Sequence, residues 1–164
     1  MDVDESSFQE LAWPQIGPAY RLAYSMLRDR HEAEDVVQEA VLRAWRRVGQ
    51  LRSAETFRPW LLAIVANECR TVMRSRWWSV VRLEQPPDRP AGEPALAAAG
   101  RMDLWQALGR MRAGDRAALV LFYALDLPLE EVAAILRISK GAAKSRIHRA
   151  VLRLRPQLAL EVDT

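Results

Sequence analysis

Between Gln85 and Gly100 the chain reads QPPDRPAGEPALAAAG, and this run constrains everything on either side of it. Proline lacks a backbone donor and pushes the preceding residue toward extended backbone, so four prolines in sixteen residues exclude a continuous helix or a central strand. On both sides, 3.6-residue periodicity recurs and strand-like alternation is nearly absent. The expectation is an all-α chain, with two small helical domains at residues 1–84 and 101–164 joined by a Pro-rich linker at 85–100. In a chain of 164 residues each half approaches the lower size limit for folding alone. The tail after Leu160 is expected to fray.

Charge matters here by its distribution. The formal net charge is +3, from 24 basic and 21 acidic residues. Acid gathers at Asp2, Asp4, Glu5 and Glu10 and again at Glu32, Glu34, Asp35 and Glu39. Base gathers at Arg70, Arg74 and Arg76 and from Lys140 to Arg155. Separate signs on separate segments predict separate partners. A single cysteine, Cys69, excludes an intrachain disulfide, and the acidic start lacks the order of a signal peptide. The most apolar stretch, Trp60 to Ala66, is far short of the roughly 18 residues of a membrane span. The reading is a cytoplasmic protein without membrane insertion.

Three helical faces carry residues that a core does not explain. From Glu34 to Val48, the residues Val36, Val37, Ala40, Val41, Ala44 and Val48 share one side at 100° per residue. The other side carries Asp35, Gln38, Glu39 and Arg46 around Leu42. Such a face is either a solvated surface with one stray leucine or a docking face for a basic, partly apolar partner. A second helix is expected from an N-cap at Thr56 to about Trp78, with Pro59 in its first turn and Trp60, Leu61, Ile64, Val65 and Val72 as its apolar stripe. Asn67, Arg70 and Arg74 fall on another side. This side is either an ordinary charged surface, with Trp77 and Trp78 covering the domain core, or a nucleic-acid face. In the second case arginine binds phosphate, Asn67 reads a base edge and tryptophan stacks on an unpaired base.

The third face is the most specific. Leu129 to Ala150 reads LEEVAAILRISKGAAKSRIHRA, two helical patterns separated by Arg137, Ile138 and Ser139, as in a helix-turn-helix. Val132, Ala133 and Leu136 face inward from the first helix; Ala143, Ile147, Ala150, Val151 and Leu154 do so from the second. Ser139 is placed as N-cap of the second helix. Its outer face presents Ala142, Ser145, Arg146, Arg149 and Arg153, flanked by Lys144 and His148, a surface that fits the major groove.

These residues resemble the extracytoplasmic-function, or group 4, sigma factors of the sigma-70 family over nearly the whole chain. His31 to Ala40 (HEAEDVVQEA) is similar to the polymerase-binding helix of sigma region 2, and Phe57-Arg58-Pro59-Trp60-Leu61 with Ile64 and Asn67 to the promoter-melting segment. Leu129 to Ala133 and Lys144 to Ala150 resemble sigma region 4. The resemblance implies that Asp35, Gln38, Glu39 and Leu42 dock on core RNA polymerase. It implies that the loop Leu51, Arg52, Ser53 to Thr56, with Asn67, captures an extruded base of the minus-ten element. Lys144, Ser145, His148 and Arg149 would contact the minus-thirty-five duplex, with Arg146 on phosphate. The linker would cross the polymerase active-site channel, and an anti-sigma factor is an expected partner.

The chain departs from the family pattern in several places. Thr71 stands where aspartate is frequent, Arg137 where the turn has glycine, Ala142-Ala143 where Thr-Val is common, and Met111-Arg112 where Leu-Pro is common. The competing reading is a sigma-like helix-turn-helix regulator that binds DNA without supporting initiation. An enzyme is not expected. There is no phosphate loop, no metal-ligand spacing among His31, Cys69 and His148, and no nucleophile–base pair. No cofactor and no small-molecule substrate are implied.

Overall fold

A computed structural model describes residues 4–83 and 106–159. The expected linker and the tail after Leu160 lie outside them. The chain divides into two compact units, Met1–Ala91 and Gly92–Thr164. All regular structure among the described residues is helical.

The first unit begins with α1, Glu5–Ala12, capped by Asp4, whose carboxylate accepts from the Ser7 amide at 2.9 Å. That bond holds the Asp4 carboxyl below its usual pKa. A 3-10 turn, Trp13–Gln15, with proline where its missing donor costs nothing, leads into α2, Ile16–Leu27. Arg28 ends α2 in the left-handed conformation, φ 54°, and Asp29 then caps α3, Arg30–Arg47, by accepting from the Glu32 amide. After two 3-10 turns at Val48–Gln50 and Ala54–Thr56 comes α4, Phe57–Leu83. Helices α2, α3 and α4 pack on one another around Leu22, Ala23, Met26, Val36, Val37, Ala40, Ala44, Leu61, Leu62, Val65 and Cys69. Phe8 fastens α1 to this bundle edge-on between Trp45 and Phe57, with ring centroids 5.1 and 5.7 Å away.

Four expectations for this unit are corrected. Thr56 is not an accepting N-cap: its hydroxyl donates to the Ser53 carbonyl at 2.7 Å, closing a 3-10 turn before α4. Leu51 is buried, so its side chain belongs to the core and not to an exposed loop surface. The core stripe of α4 is centred on Leu61, Leu62, Val65, Ala66 and Cys69; Trp60, Ile64 and Val72 flank it, half-buried. Finally, α4 runs on to Leu83, and Trp77 and Trp78 are 59% and 56% exposed and do not cover the core. Arg76 marks the end of the bundle. It reaches Glu32, at the start of α3, and donates to the Leu27 carbonyl at the end of α2. The twenty residues from Phe57 to Arg76 rise about 28 Å and so match the length of α3. Among the described residues of this unit, Trp77 and Trp78 lie on α4 beyond the point where Arg76 ties it to α2 and α3.

The second unit is described from Gln106. Helical residues 106–109 are followed by α5, Ala113–Leu119, which widens into a π turn at Val120–Ala124. The buried Arg116 guanidinium donates to the carbonyls of Leu108 and Met111, satisfying the end of the preceding turn. Then come α6, Leu129–Leu136, and α7, Lys140–Ala159. Ala107, Met111, Leu119, Ala150 and Leu154 form one core cluster, and Val132, Ala133, Ile135, Leu136, Ala143 and Ile147 are buried along the α6–α7 crossing. Arg137 is left-handed, φ 55°. The Arg137 amide donates to Ala134 and the Ile138 amide to Ala133, the paired bonds that close a helix C-terminus. Ser139 caps α7 as expected, accepting from the Ala142 amide at 3.1 Å.

Because a side chain at left-handed φ crowds the backbone where glycine does not, Arg137→Gly should stabilise the second unit by about 1 kcal/mol. A urea titration followed by circular dichroism checks this, and a lowered midpoint would contradict it. Burial pushes the Cys69 thiol up to about 12. The thiolate is therefore scarce at pH 7 to 9, and iodoacetamide should label Cys69 only once denaturant opens the first unit. Mass spectrometry before and after denaturation reads the difference.

Candidate functional site

The site-bearing residues form three faces, two on the first unit and one on the second. On α3, residues 36, 37, 40 and 44 point into the bundle, so 35, 38 and 42 must point away. Asp35 and Gln38 are exposed, Leu42 is 43% exposed, and Glu39 is half-buried at the edge of the face. An apolar side chain ringed by two carboxylates and an amide can receive a partner that is apolar at its centre and basic around it.

Glu39 is not a free carboxylate. Arg43, one turn on, donates to it through Nε at 2.7 Å, and this bond holds the Glu39 carboxyl below its ordinary range. The same guanidinium reaches Glu68 of α4 through Nη1, also at 2.7 Å. The Glu68 side chain is 9% exposed. Arg43 thus joins the exposed face of α3 to a buried carboxylate next to Asn67. Sequence periodicity does not single out either residue, because a glutamate on a helix reads as surface.

The second face runs along α4. Asn67 and Arg70 are half-buried and Arg74 is exposed, in the order the spacing predicts. Thr71 donates to the Asn67 carbonyl at 3.2 Å, and its hydroxyl oxygen lies 3.4 Å from Arg74 Nη2. Arg70, Arg74, Met73, Trp77 and Trp78 line a shallow cleft of about 340 Å³. Its tryptophans meet edge to face at 5.0 Å. Such a cleft offers aromatic surface beside two guanidinium groups, a combination suited to a base and its phosphate. Met73 was not singled out from sequence, since a lone methionine there reads as core. Of the preceding loop, Arg52 and Thr56 are exposed and Ser53 is half-buried, whereas Leu51 is withdrawn.

The third face is the outer side of α7. Lys144, Ser145, His148 and Arg149 are exposed; Ala142 and Arg146 are half-buried. The N-terminus of α7 is held against α6 by the ion pair of Lys140 with Glu130, whose carboxyl the lysine lowers. Arg149 is not fully free, because its Nη2 lies 3.2 Å from Asp115 Oδ1. Among the described residues no helix is long and apolar enough to cross a membrane, and no group of three or more His, Cys, Asp and Glu could hold a metal ion.

Two family models match the chain, "Sigma-70 region 2" over residues 16–79 and "Sigma-70, region 4" over residues 101–154. Among curated proteins, the chain is 36% identical over 162 residues to "ECF RNA polymerase sigma factor SigE" of Mycolicibacterium smegmatis, covering 93% of the chain and 62% of that protein. It is 33% identical over 143 residues to "ECF RNA polymerase sigma factor SigL" of Mycobacterium tuberculosis, covering 83% and 80%. It spans 38% of the length of a third relative, "Probable RNA polymerase sigma factor RfaY" of Xanthomonas campestris, at 30% identity over 87% of the chain. Among solved structures, it superposes with a TM-score of 0.79 on the sigma factor RpoE of Bartonella quintana, solved in complex with the anti-sigma factor NepR. The identity there is 27%, over 94% of this chain and 98% of that one.

Replacing Arg43 with methionine keeps most of the side-chain volume and leaves the buried Glu68 carboxylate without its cation. Arg43→Met should lower the thermal midpoint of the first unit, and adding Glu68→Gln should restore most of the loss. Additive losses in this pair, read by circular dichroism melting, would show that the two side chains are not coupled.

Proposed function

Since the chain belongs to the extracytoplasmic-function sigma factors of the sigma-70 family, we propose that it binds core RNA polymerase and directs promoter-specific initiation of transcription. The observation that carries this reading is the exposed, acid-ringed Leu42 on a helix whose other side is fully used by the core. A protein that only bound DNA would have no use for such a face. In this reading the chain is organised as residues 1–84 for docking and melting, 85–100 as linker and 101–164 for upstream recognition. Asp35, Gln38, Glu39 and Leu42 dock on the polymerase.

On α4 and its preceding loop, Arg52, Ser53, Thr56 and Asn67 receive an extruded base of the minus-ten element. Arg70 and Arg74 bind the adjoining phosphates, and Trp77 with Trp78 supplies a stacking wall. Extruding a base costs a few kcal/mol of stacking, which contacts of this kind offset. On α7, Lys144, Ser145, His148 and Arg149 enter the major groove of the minus-thirty-five element, Ala142 lets the helix approach closely, and Arg146 binds phosphate. The chain itself performs no bond-making chemistry, and it works in the cytoplasm, on the nucleoid when polymerase-bound. The relative was solved in complex with an anti-sigma factor, and the same kind of partner is proposed here.

The test mixes the full chain with active core polymerase and reads complex formation by gel filtration and run-off transcripts from a library of randomised promoter duplexes. Binding with initiation at selected sequences is the expected result. Neither binding nor initiation would leave a stand-alone DNA-binding regulator as the better account. Leu42→Asp, at a position that bears no core load, should weaken polymerase binding at least tenfold, as roughly expected for a charge placed at an apolar anchor. Unchanged affinity would remove the docking assignment.

A further inference from the structure

The arginine assigned above to base contact is held by a residue that faces the core. Asp115 lies in the first turn of α5, among the buried residues Arg116, Ala117, Ala118 and Leu119. Its side chain is 4% exposed, and its Oδ1 lies 3.2 Å from Nη2 of Arg149, a side chain that is 52% exposed. One turn earlier on α7, Arg146 lies over the residue before Asp115. A β-carbon at Gly114 would overlap the Arg146 guanidinium. Two consecutive residues of α5 therefore seat two arginines that stand one turn apart on the outer face of α7.

A buried carboxylate is unfavourable unless matched, and the amides at the start of α5 lower that cost without removing it. An alanine at 115 would fill the core-facing position with no charge to match. What the carboxylate adds is directional. A guanidinium carries five N–H donors, so one bond to Asp115 leaves enough for the two-pronged contact with guanine O6 and N7. An unsupported arginine gives up its rotamer freedom on meeting DNA, whereas a buttressed one has given it up already.

We infer that Asp115 is a positioning residue for Arg149 in reading the upstream promoter element. The inference rests on the proposed assignment of α7 to that duplex. Its test uses the full chain on core polymerase, with the promoter selected from the randomised library and the upstream element then changed one base pair at a time. The readout is the ratio of run-off initiation from the selected promoter to that from each changed one.

Asp115→Ala should lower that ratio about tenfold, at the base pairs where Arg149→Ala also lowers it. The double variant should be no worse than Arg149→Ala alone. The salt dependence of the single Asp115→Ala variant should match the wild type, because the charge of Arg149 remains. Asp115→Asn, which keeps the shape and one accepting oxygen, should recover part of the ratio and guards against misfolding of the alanine variant. Wild-type discrimination in both Asp115 variants, with loss in Arg149→Ala, overturns the inference alone. So does an equal loss at every promoter that adds to that of Arg149→Ala and accompanies a lower melting midpoint, the mark of a purely structural role. Wild-type discrimination in Arg149→Ala overturns the upstream assignment and this inference together.

Discussion

Each unit is small, so every described helix can bury one side only, and the side left over is the one open to partners. In the first unit α2, α3 and α4 close on one another through Leu22, Val36, Val37, Ala40, Leu61, Leu62 and Val65. This closure orients Leu42 and the carboxylates of α3 away from the bundle and sets the Asn67 side of α4 at its margin. In the second, Ala133 and Ala143 let α6 and α7 pack closely, and that contact turns the basic side of α7 outward. The functional faces are therefore consequences of core packing in units near the lower limit of size.

That dependence explains which parts were legible in the sequence. Helical periodicity needs only the identity of the buried residues, and it placed Asp35, Gln38, Leu42, Lys144, Ser145 and His148 on exposed surface, where the structure also has them. It was weakest on α4, which is apolar on more than one side. A stripe centred a residue away fits the same letters nearly as well, and periodicity puts Ile64 in the core where the structure has Leu62 and Ala66. Leu51 and Thr56 escaped for another reason. They stand between helices, where no period applies and where a hydroxyl can donate to a turn as readily as it can cap a helix. Buried charge was the least legible feature, because Glu68 and Asp115 are defined by partners 25 and 34 residues away.

The departures from the family pattern also acquire physical content. Arg112 precedes α5 with φ −65° and ψ 145°, the backbone that proline would adopt, and Met111 is buried as a leucine would be. These two substitutions preserve the entry into α5. Arg137 takes the left-handed turn with its amide bonds intact and only the crowding of its side chain to bear. Thr71 is tied to Asn67 through the backbone carbonyl, so its hydroxyl helps fix the helix turn that presents Asn67. Ala143 is fully buried at the α6–α7 crossing, where a larger residue would push the two helices apart.

Two arginines share a logic that links recognition to the interior. Arg43 and Arg149 are each about half exposed, and each bonds a carboxylate that is almost fully buried, Glu68 in one unit and Asp115 in the other. A pair of exposed charges would gain little from its attraction and would leave both side chains mobile. Burying the acidic member changes the balance. The carboxylate is fixed by packing and poorly solvated, so the arginine gains more by staying with it than by wandering into water. The cation is thereby ordered while most of its donors still face outward. On α3 the order is handed to Glu39, which receives the Nε of Arg43 at 2.7 Å; on α7 the guanidinium itself is the presented group. In both units a carboxylate that would weaken the core in isolation fixes the geometry of an arginine at the surface, and that geometry depends on the core remaining packed.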